Sequence, residues 1–511
     1  MCIKNELGHF PKLSTLELRQ SKKDFLNSRS LKIENIITMH QQLETEQKAL
    51  EINLDSAVYG SFAEIGAGQE VARHFFAVGA AAGTIAKTIS AYDKVVSDEI
   101  YGREPSGRYV CESRLYRMLD HEYELMLDRL GGQRPDLCLF SFADTVTTIN
   151  YHRTIKGQGW VGIRFQLHPG AEPNDIVLHI ALEDGNANLQ QQAVGILGVN
   201  LVYACYRYNH NYKTLITSLL DKLHDRMTID MIRATGPHFA DIDNRLLMLE
   251  LVRQNMTDVA VFDKKGIPVH ISEFMYKKNL LLVRGNFRPA TLVSMDMIRA
   301  SSAQFRAEPG IMPLDTYVMT EVTLDTLSSE TGDVDEQDFL DRADLLNHLG
   351  QMVMITNCDR YKKLLTYLQD YRLGHIGLVM EARVMLALIN SKYERNKDGR
   401  LLTSFGEIFT RGVTTYVYPE MKEGSGELMV CNTLPVPEGM NHLYQHLLEH
   451  RHIVDVTGFT ESILHIRSSE VLRKVREDEE GWEDMVPDKV ARYIQDKGLF
   501  NFPMQKMEFD Y

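Results

Sequence analysis

No two cysteines of this chain stand in a C-x-x-C spacing. The six, Cys2, Cys111, Cys138, Cys205, Cys358 and Cys431, are scattered, which argues against a structural zinc site or a disulfide framework. Long apolar runs are also missing. The most apolar window, "FFAVGAAAGTIA", is too short and too rich in glycine to span a bilayer. Residues Met1 to Phe10 carry Lys4, Glu6 and His9 without an apolar core, so they do not read as a secretory signal. Positive charge is in deficit: 56 Lys and Arg face 70 Asp and Glu, a net charge of −14. That balance argues against a nucleic-acid coat or a polybasic membrane binder, while a local basic site stays open. Low-complexity tracts and fixed-period repeats are absent too. What remains is a globular protein expected in the cytoplasm, without nucleic-acid or membrane partners. Homo-oligomerisation stays open.

At 511 residues the chain is too long for one ordinary core, so two or three domains are expected. Residues 1–55 read as an N-terminal helical arm, best in "IENIITMHQQLETEQKALEINL". Residues 56–245 mix helical stretches such as "ESRLYRMLDHEYELMLDRL" with strands such as "LCLFSF" and "GWVGIRFQLH", the pattern of an α+β domain. From 246 to 511 short apolar strands alternate with amphipathic helices: "DVAVF", "NLLLVRG", "TYVMTEVTL", "QMVMIT", "HIGLVM" and "VTTYVYP". Alternation of that kind predicts a Rossmann-like α/β domain with a parallel sheet, right-handed crossovers and C-terminal helices.

Two glycine motifs compete as binding loops. "FAEIGAGQEVARHFF" has Glu70 and Val71 where a dinucleotide fingerprint needs glycines, and "DSAVYGSF" before it makes a poor strand. Its glycines are expected to serve close helix packing beside Gly79 to Gly83, with Glu64, Gln69 and Glu70 as polar candidates for an unnamed ligand. "LLLVRGNFRPATLVSMDM" is better placed, because it follows a convincing strand and opens a helix. Gly285 would let the backbone approach a phosphate, the helix start would favour an anion, and Arg284 and Arg288 add positive charge. A plain strand-to-helix turn is the competing reading. Farther upstream, "VAVFDKKG" at Asp263 with Thr356 faintly suggests a haloacid-dehalogenase phosphatase, but Lys265 stands where that chemistry wants a second acid. An ordinary strand–turn–strand is preferred there. Asp144, Asn150, His152, Arg164 and Gln190 to Gln192 are expected to be hydrogen-bonding structural residues.

The second glycine motif resembles the first signature of nucleotidyltransferases, G-x-F-D-P-x-[HT]-x-G-H. Gly285, Phe287, Pro289 and Thr291 match it, and Asp296 matches a common acidic residue after it. "HIRSSEVLRKVREDEEGWEDMVPDKVARYIQDKGLF" is similar to the closing signature, I-S-S-T-x-I-R followed by V-P-x-x-V-x-x-Y-I-x-x-x-G-L-Y. Ser468, Ser469 and Arg473 match its first part, and Val486-Pro487, Val490, Tyr493-Ile494, Gly498 and Leu499 stay in register without a gap. This form is most like nicotinate- or nicotinamide-nucleotide adenylyltransferases of bacterial type. A weaker echo is Asn357-Cys358-Asp359, where the family has a G-x-D turn after a strand.

The resemblance implies transfer of AMP from ATP to a mononucleotide in NAD biosynthesis, with Mg²⁺. It implies Thr291, Ser294 and Arg288 as catalytic residues, and Gly285, Asn286, Phe287, Asn357, Asp359, Ser468, Ser469 and Arg473 as nucleotide-binding residues; no protein metal ligand is expected. Because the phosphate oxygen is already a nucleophile, such an enzyme mainly positions reactants and stabilises transition-state charge. Several departures weigh against turnover: Ser294 replaces the second histidine, Val293 its glycine, Arg288 the aspartate and Glu470 the threonine. The competing reading is a nucleotide-binding sensor or assembly protein on the same fold. The resemblance does not reach residues 1–245.

Overall fold

The computed structural model describes residues 42–503, apart from 328–333, 359–360, 370, 397–399, 411, 423 and 425. Of the expected N-terminal arm, helix Thr45–Asn53 is described, and residues 1–41 lie outside the described part. That short helix is held by a buried lysine: Lys48 Nζ donates to Asp221 Oδ2 at 2.6 Å and to Asn200 Oδ1 at 2.8 Å. A buried ammonium must find such partners to stay charged.

The first sheet has the order β2-β1-β3-β4-β5-β6. Its strands are β1 (Val58–Ile65), β2 (Ile85–Ile89), β3 (Cys138–Thr147), β4 (Gly157–Phe165), β5 (Asn174–Leu182) and β6 (Met227–Thr235). β1 runs parallel to β2 and β3, and the remaining neighbours are antiparallel, so this is the expected α+β pattern. β1 itself corrects the sequence reading, which dismissed "DSAVYGSF" as a strand. Gly60 and Ser61 lower its β propensity, yet it is buried between two partners. A Cβ at Gly60 would lie 2.4 Å from the Phe140 ring on β3, so the glycine is the space that the aromatic ring fills.

The second sheet has the order β15-β12-β11-β8-β9-β10-β7. Its strands are β7 (Val259–Phe262), β8 (Asn279–Arg284), β9 (Thr316–Thr323), β10 (Met352–Thr356), β11 (Ile376–Glu381), β12 (Val413–Tyr418) and β15 (Ile453–Asp455). Six strands are parallel, as expected from the alternation. β7 is the exception: it pairs antiparallel with β10 at the edge of the sheet. β15 lies in a tail that reads as mostly helical; at three residues it is too short to show a period. A two-stranded hairpin, β13 (Glu420–Met421) with β14 (Leu428–Met429), follows β12. Counting from β8, the parallel strands run 3-2-1-4-5-6, the doubly wound Rossmann order. One face buries Leu280, Leu282, Met319, Met354, Leu378 and Met380 in a common core. Continuous burial on both faces explains why these strands read as unbroken apolar runs.

Propensity alone would favour valine over glycine in β1, whereas the packing forbids it. Gly60→Val is expected to destabilise the protein by ~1–3 kcal/mol through overpacking, and Phe140→Leu in the same chain should recover part of that loss. Urea unfolding of the three variants checks it. Equal midpoints for wild type and Gly60→Val would show that the ring and the glycine are not coupled.

Candidate functional site

In a doubly wound sheet the strands splay apart where the order reverses, here between β8 and β11, and ligands bind beyond their carboxyl ends. A cavity of about 480 Å³ lies there. It collects residues at or just past the strand ends: Arg284 and Gly285 at β8, Thr323 and Asp325 at β9, Glu381 and Arg383 at β11, and Pro419 and Glu420 after β12. The two sequence signatures meet in it: Gly285, Asn286, Phe287, Thr291 and Ser294 of the first, and Ser468 and Ser469 of the second, all line the cavity. The Ser468 hydroxyl donates to the Arg288 carbonyl at 2.8 Å and lies 3.2 Å from that of Pro289, joining segments 180 residues apart.

The first signature is tightly used by the fold. Phe287 has a φ of 47° and its ring is buried over Gly285, where a Cβ would meet it at 3.0 Å. The glycine therefore accommodates this ring, and the turn keeps a structural reason for it. Thr291 and Ser294 cap the helix Leu292–Arg306 reciprocally: Thr291 Oγ1 accepts from the Ser294 N–H, and Ser294 Oγ from the Thr291 N–H, each at 3.3 Å. Asp296 accepts from Tyr418 Oη at 2.7 Å and from the Thr460 N–H at 2.9 Å, fastening the same helix to the end of β12.

Both arginines offered as phosphate partners carry an acid. Arg284 makes a two-pronged pair with Glu321, which is fully buried and also accepts from Thr356 Oγ1 at 2.7 Å. Its guanidinium lies 4.1 Å above the Tyr361 ring. Arg288 pairs with Asp338 at 2.5 Å and does not line the cavity. Buried Arg342 shares Asp338 and donates to the carbonyls of Asn286 at 3.1 Å and Thr326 at 2.8 Å, so one helix, Glu336–His348, shapes two loops of the cavity.

Other candidates lie elsewhere. Arg473 points outward to Glu477 and Glu479, and Glu470 is exposed and not part of the lining. Asn357 follows β10 as expected, but its amide donates to Asn255 at 2.7 Å instead of facing the cavity. Asp359 lies outside the described residues. Val490, Ile494, Leu499 and Phe500 of the closing signature are buried, Tyr493 stacks on His348 at 4.1 Å, and the Phe500 N–H donates to Asp341 at 2.6 Å. That part of the signature docks the last helix.

The residues missed by sequence reasoning are Arg383 and Arg467, together with their acid Glu420. The Arg383 backbone and side chain both donate to Glu420, and Arg467 donates to the Met421 carbonyl at 3.1 Å while standing 3.9 Å from Glu420. Burial raises the Glu381 carboxyl, helped by Glu420 and opposed by the two arginines. A charged residue just past an apolar parallel strand, as in "GLVMEAR", was the available signal.

The first glycine motif does sit on a strand–turn–helix, but Glu64 fills the helix start. Its carboxylate accepts the Val71 N–H at 2.9 Å and the Ala72 N–H at 3.0 Å, taking the donors an anion would use. Gly66 has a φ of 100°, and a Cβ there would strike the Val146 carbonyl at 1.8 Å. Close helix packing comes from Gly195 and Gly198 of helix Ala187–Arg207, which admit Glu70 and Val71, and not from the glycines of the motif. Gln69 donates to Thr88, and Glu70 pairs with Arg73. Most polar residues of this domain are satisfied as expected: Arg164 pairs with Asp175 and Asp120, Asn150 caps its own loop, and Gln190 Oε1 accepts the Ile149 N–H. Asp263 Oδ1 likewise accepts from the Lys265 and Ile267 N–H groups in the strand–turn–strand expected there.

Asp144 is the exception, with one carboxylate oxygen buried and unpartnered beside Glu64 on the neighbouring parallel strand. Burial, opposed by the bonds from the Ala72 and Val71 N–H groups and helped by the Glu70 charge, leaves the Glu64 carboxyl at about 7; burial and Glu64 push Asp144 well above the ordinary range.

No family model and no curated protein matches this chain. Two solved structures illustrate its distant likenesses. The competence/damage inducible protein CihA from Agrobacterium tumefaciens is 15% identical, with a TM-score of 0.24, over 32% of this chain and 98% of its own. The Plasmodium falciparum nicotinic acid mononucleotide adenylyltransferase complexed with APC is 11% identical, with a TM-score of 0.28, over 45% of this chain and all of its own. Both likenesses are too weak to argue from. The strand order by itself defines the class of the second sheet, a Rossmann-like α/β domain.

Two substitutions test these buried groups. Carboxyls whose folded pKa is raised contribute stability below their unfolded pKa, and that contribution is lost as pH rises through the folded value. Wild type should therefore lose stability between pH ~4.5 and ~7 from the Glu64–Asp144 pair. Asp144→Asn should match wild type near pH 4 and exceed it at pH 8; parallel melting temperatures across that range would contradict the assignment. Glu321→Ala leaves a buried guanidinium unpaired and should cost ~3–5 kcal/mol in chemical denaturation.

Proposed function

We propose that the switch-point cavity binds ATP and a mononucleotide and performs adenylyl transfer of the nicotinate-nucleotide type, forming a dinucleotide and pyrophosphate. The observation that carries this reading is the meeting of the two signatures at one cavity, tied by Ser468 to the Arg288 carbonyl. Its supports are the position at the sheet's switch point and the cations Arg383 and Arg467 at the mouth. In this reading the mononucleotide phosphate attacks the α-phosphorus of ATP, the bond to the β,γ-pyrophosphate breaks, and the two arginines stabilise the charge that develops. Mg²⁺ accompanies ATP, and Asp325 and Glu381 supply the lining carboxylates that would face it.

One observation favours the second reading, nucleotide binding without turnover. The motif histidine is Ser294, whose hydroxyl is already engaged in the helix cap, and losing a positioned donor commonly costs ~10²–10³ in rate. Incubation with ATP, nicotinate mononucleotide and Mg²⁺ separates the two: pyrophosphate release supports transfer, and calorimetric ATP binding without release supports the sensor. Arg467→Ala should weaken ATP binding about tenfold to a hundredfold through loss of a charge-assisted contact. Arg473→Ala should leave it unchanged, because its guanidinium faces outward. The reverse ranking would move the nucleotide off this cavity.

A further inference from the structure

A second cavity, of about 1430 Å³, lies between the two sheets and is unrelated to either sequence signature. Its wall holds three buried side chains from three separate parts of the chain: His179 on β5, Asp230 on β6 and His270 between β7 and β8. We propose that His179, Asp230 and His270 bind a divalent transition-metal ion of the zinc class, with its remaining coordination positions open to this cavity.

Geometry carries the proposal. The ligating atoms of the three residues all lie within 4.8 Å of one another. Ligands ~2.1 Å from one ion stand ~3.4 Å apart in a tetrahedron, so the cluster is a slightly open form of a coordination shell. His179 Nδ1 lies 2.6 Å from Asp230 Oδ1, and His270 Nε2 lies 3.1 Å from Asp230 Oδ2. Both rings therefore turn a nitrogen toward the same carboxylate.

The far nitrogen of each ring is also held. His179 Nε2 is 2.8 Å from Gln158 Oε1, and His270 Nδ1 is 2.7 Å from Ser272 Oγ. Metal-ligating histidines are oriented in this way, through an outer acceptor that fixes which nitrogen carries the proton. With the proton of a neutral His179 on Nε2, facing Gln158, the Nδ1 lone pair points at a carboxylate oxygen. A metal ion between Nδ1 and the carboxylate oxygen would be bound by both.

Packing and donor type agree. The two imidazoles stack at 3.6 Å, with Trp160 edge-on to both. Two imidazoles and one carboxylate suit zinc or ferrous iron better than Mg²⁺ or Ca²⁺, which prefer all-oxygen shells. The Tyr371 hydroxyl, 3.4 Å from His270 Nε2, borders the open side.

The test uses the full chain, stripped with a chelator and titrated with Co²⁺, a coloured stand-in for zinc. The expected result is one Co²⁺ per chain with visible d–d absorption, and binding weakened at least ~100-fold in both Asp230→Asn and His270→Gln. No Co²⁺ binding by wild type, or binding unchanged in both variants, overturns the proposal and leaves a hydrogen-bonded His–Asp–His relay. Should the variants fail to fold, as judged by circular dichroism, X-ray absorption of the Co²⁺-loaded wild type decides: two imidazole ligands support the site and fewer than two overturn it.

Discussion

The second half of the protein is organised around the ion pair of Arg284 and Glu321. Glu321 is fully buried in β9, where an unpaired carboxylate would be prohibitively costly. Arg284 at the end of β8 neutralises it, and Thr356 at the end of β10 supplies a further hydrogen bond. Three adjacent parallel strands are thereby tied at their carboxyl ends, where the sheet must open to make a cavity. Tyr361, covering the guanidinium, extends the same linkage to the helix after β10.

Above these strand ends the loops are held by bonds to backbone carbonyls. Arg342 takes the carbonyls of Asn286 and Thr326, and Ser468 takes that of Arg288. Such bonds depend on where the chain goes and little on which side chain it carries there. They explain how a signature with several replaced residues still folds into its expected place. The acids Asp338 and Glu420 temper the cations around the cavity, so its field is mixed and recognition would rest on directed hydrogen bonds.

The first sheet handles buried charge in three different ways. Lys48 is matched by an aspartate and an amide, Glu64 is matched by a helix start, and Asp144 is left short of a partner. His179 and Asp230 stand at the sheet's far side, where β5 and β6 approach the second sheet and His270 completes the cluster.

By itself the sequence determined the alternation that makes a doubly wound sheet, with Gly285 and Asn357 at strand ends. Local periodicity and turn chemistry are properties of neighbouring residues, so they are legible without a structure. Only the tertiary structure decided that β1 is a strand, because Gly60 is explained by Phe140, 80 residues away in sequence. It alone turned Arg473 outward and brought Arg383 and Arg467 to the cavity, since the face a helix presents depends on what it packs against. It alone gathered His179, Asp230 and His270, whose spacings follow no local motif. Such convergence is set by strand order and sheet-to-sheet packing, and neither is written in any short stretch of the chain.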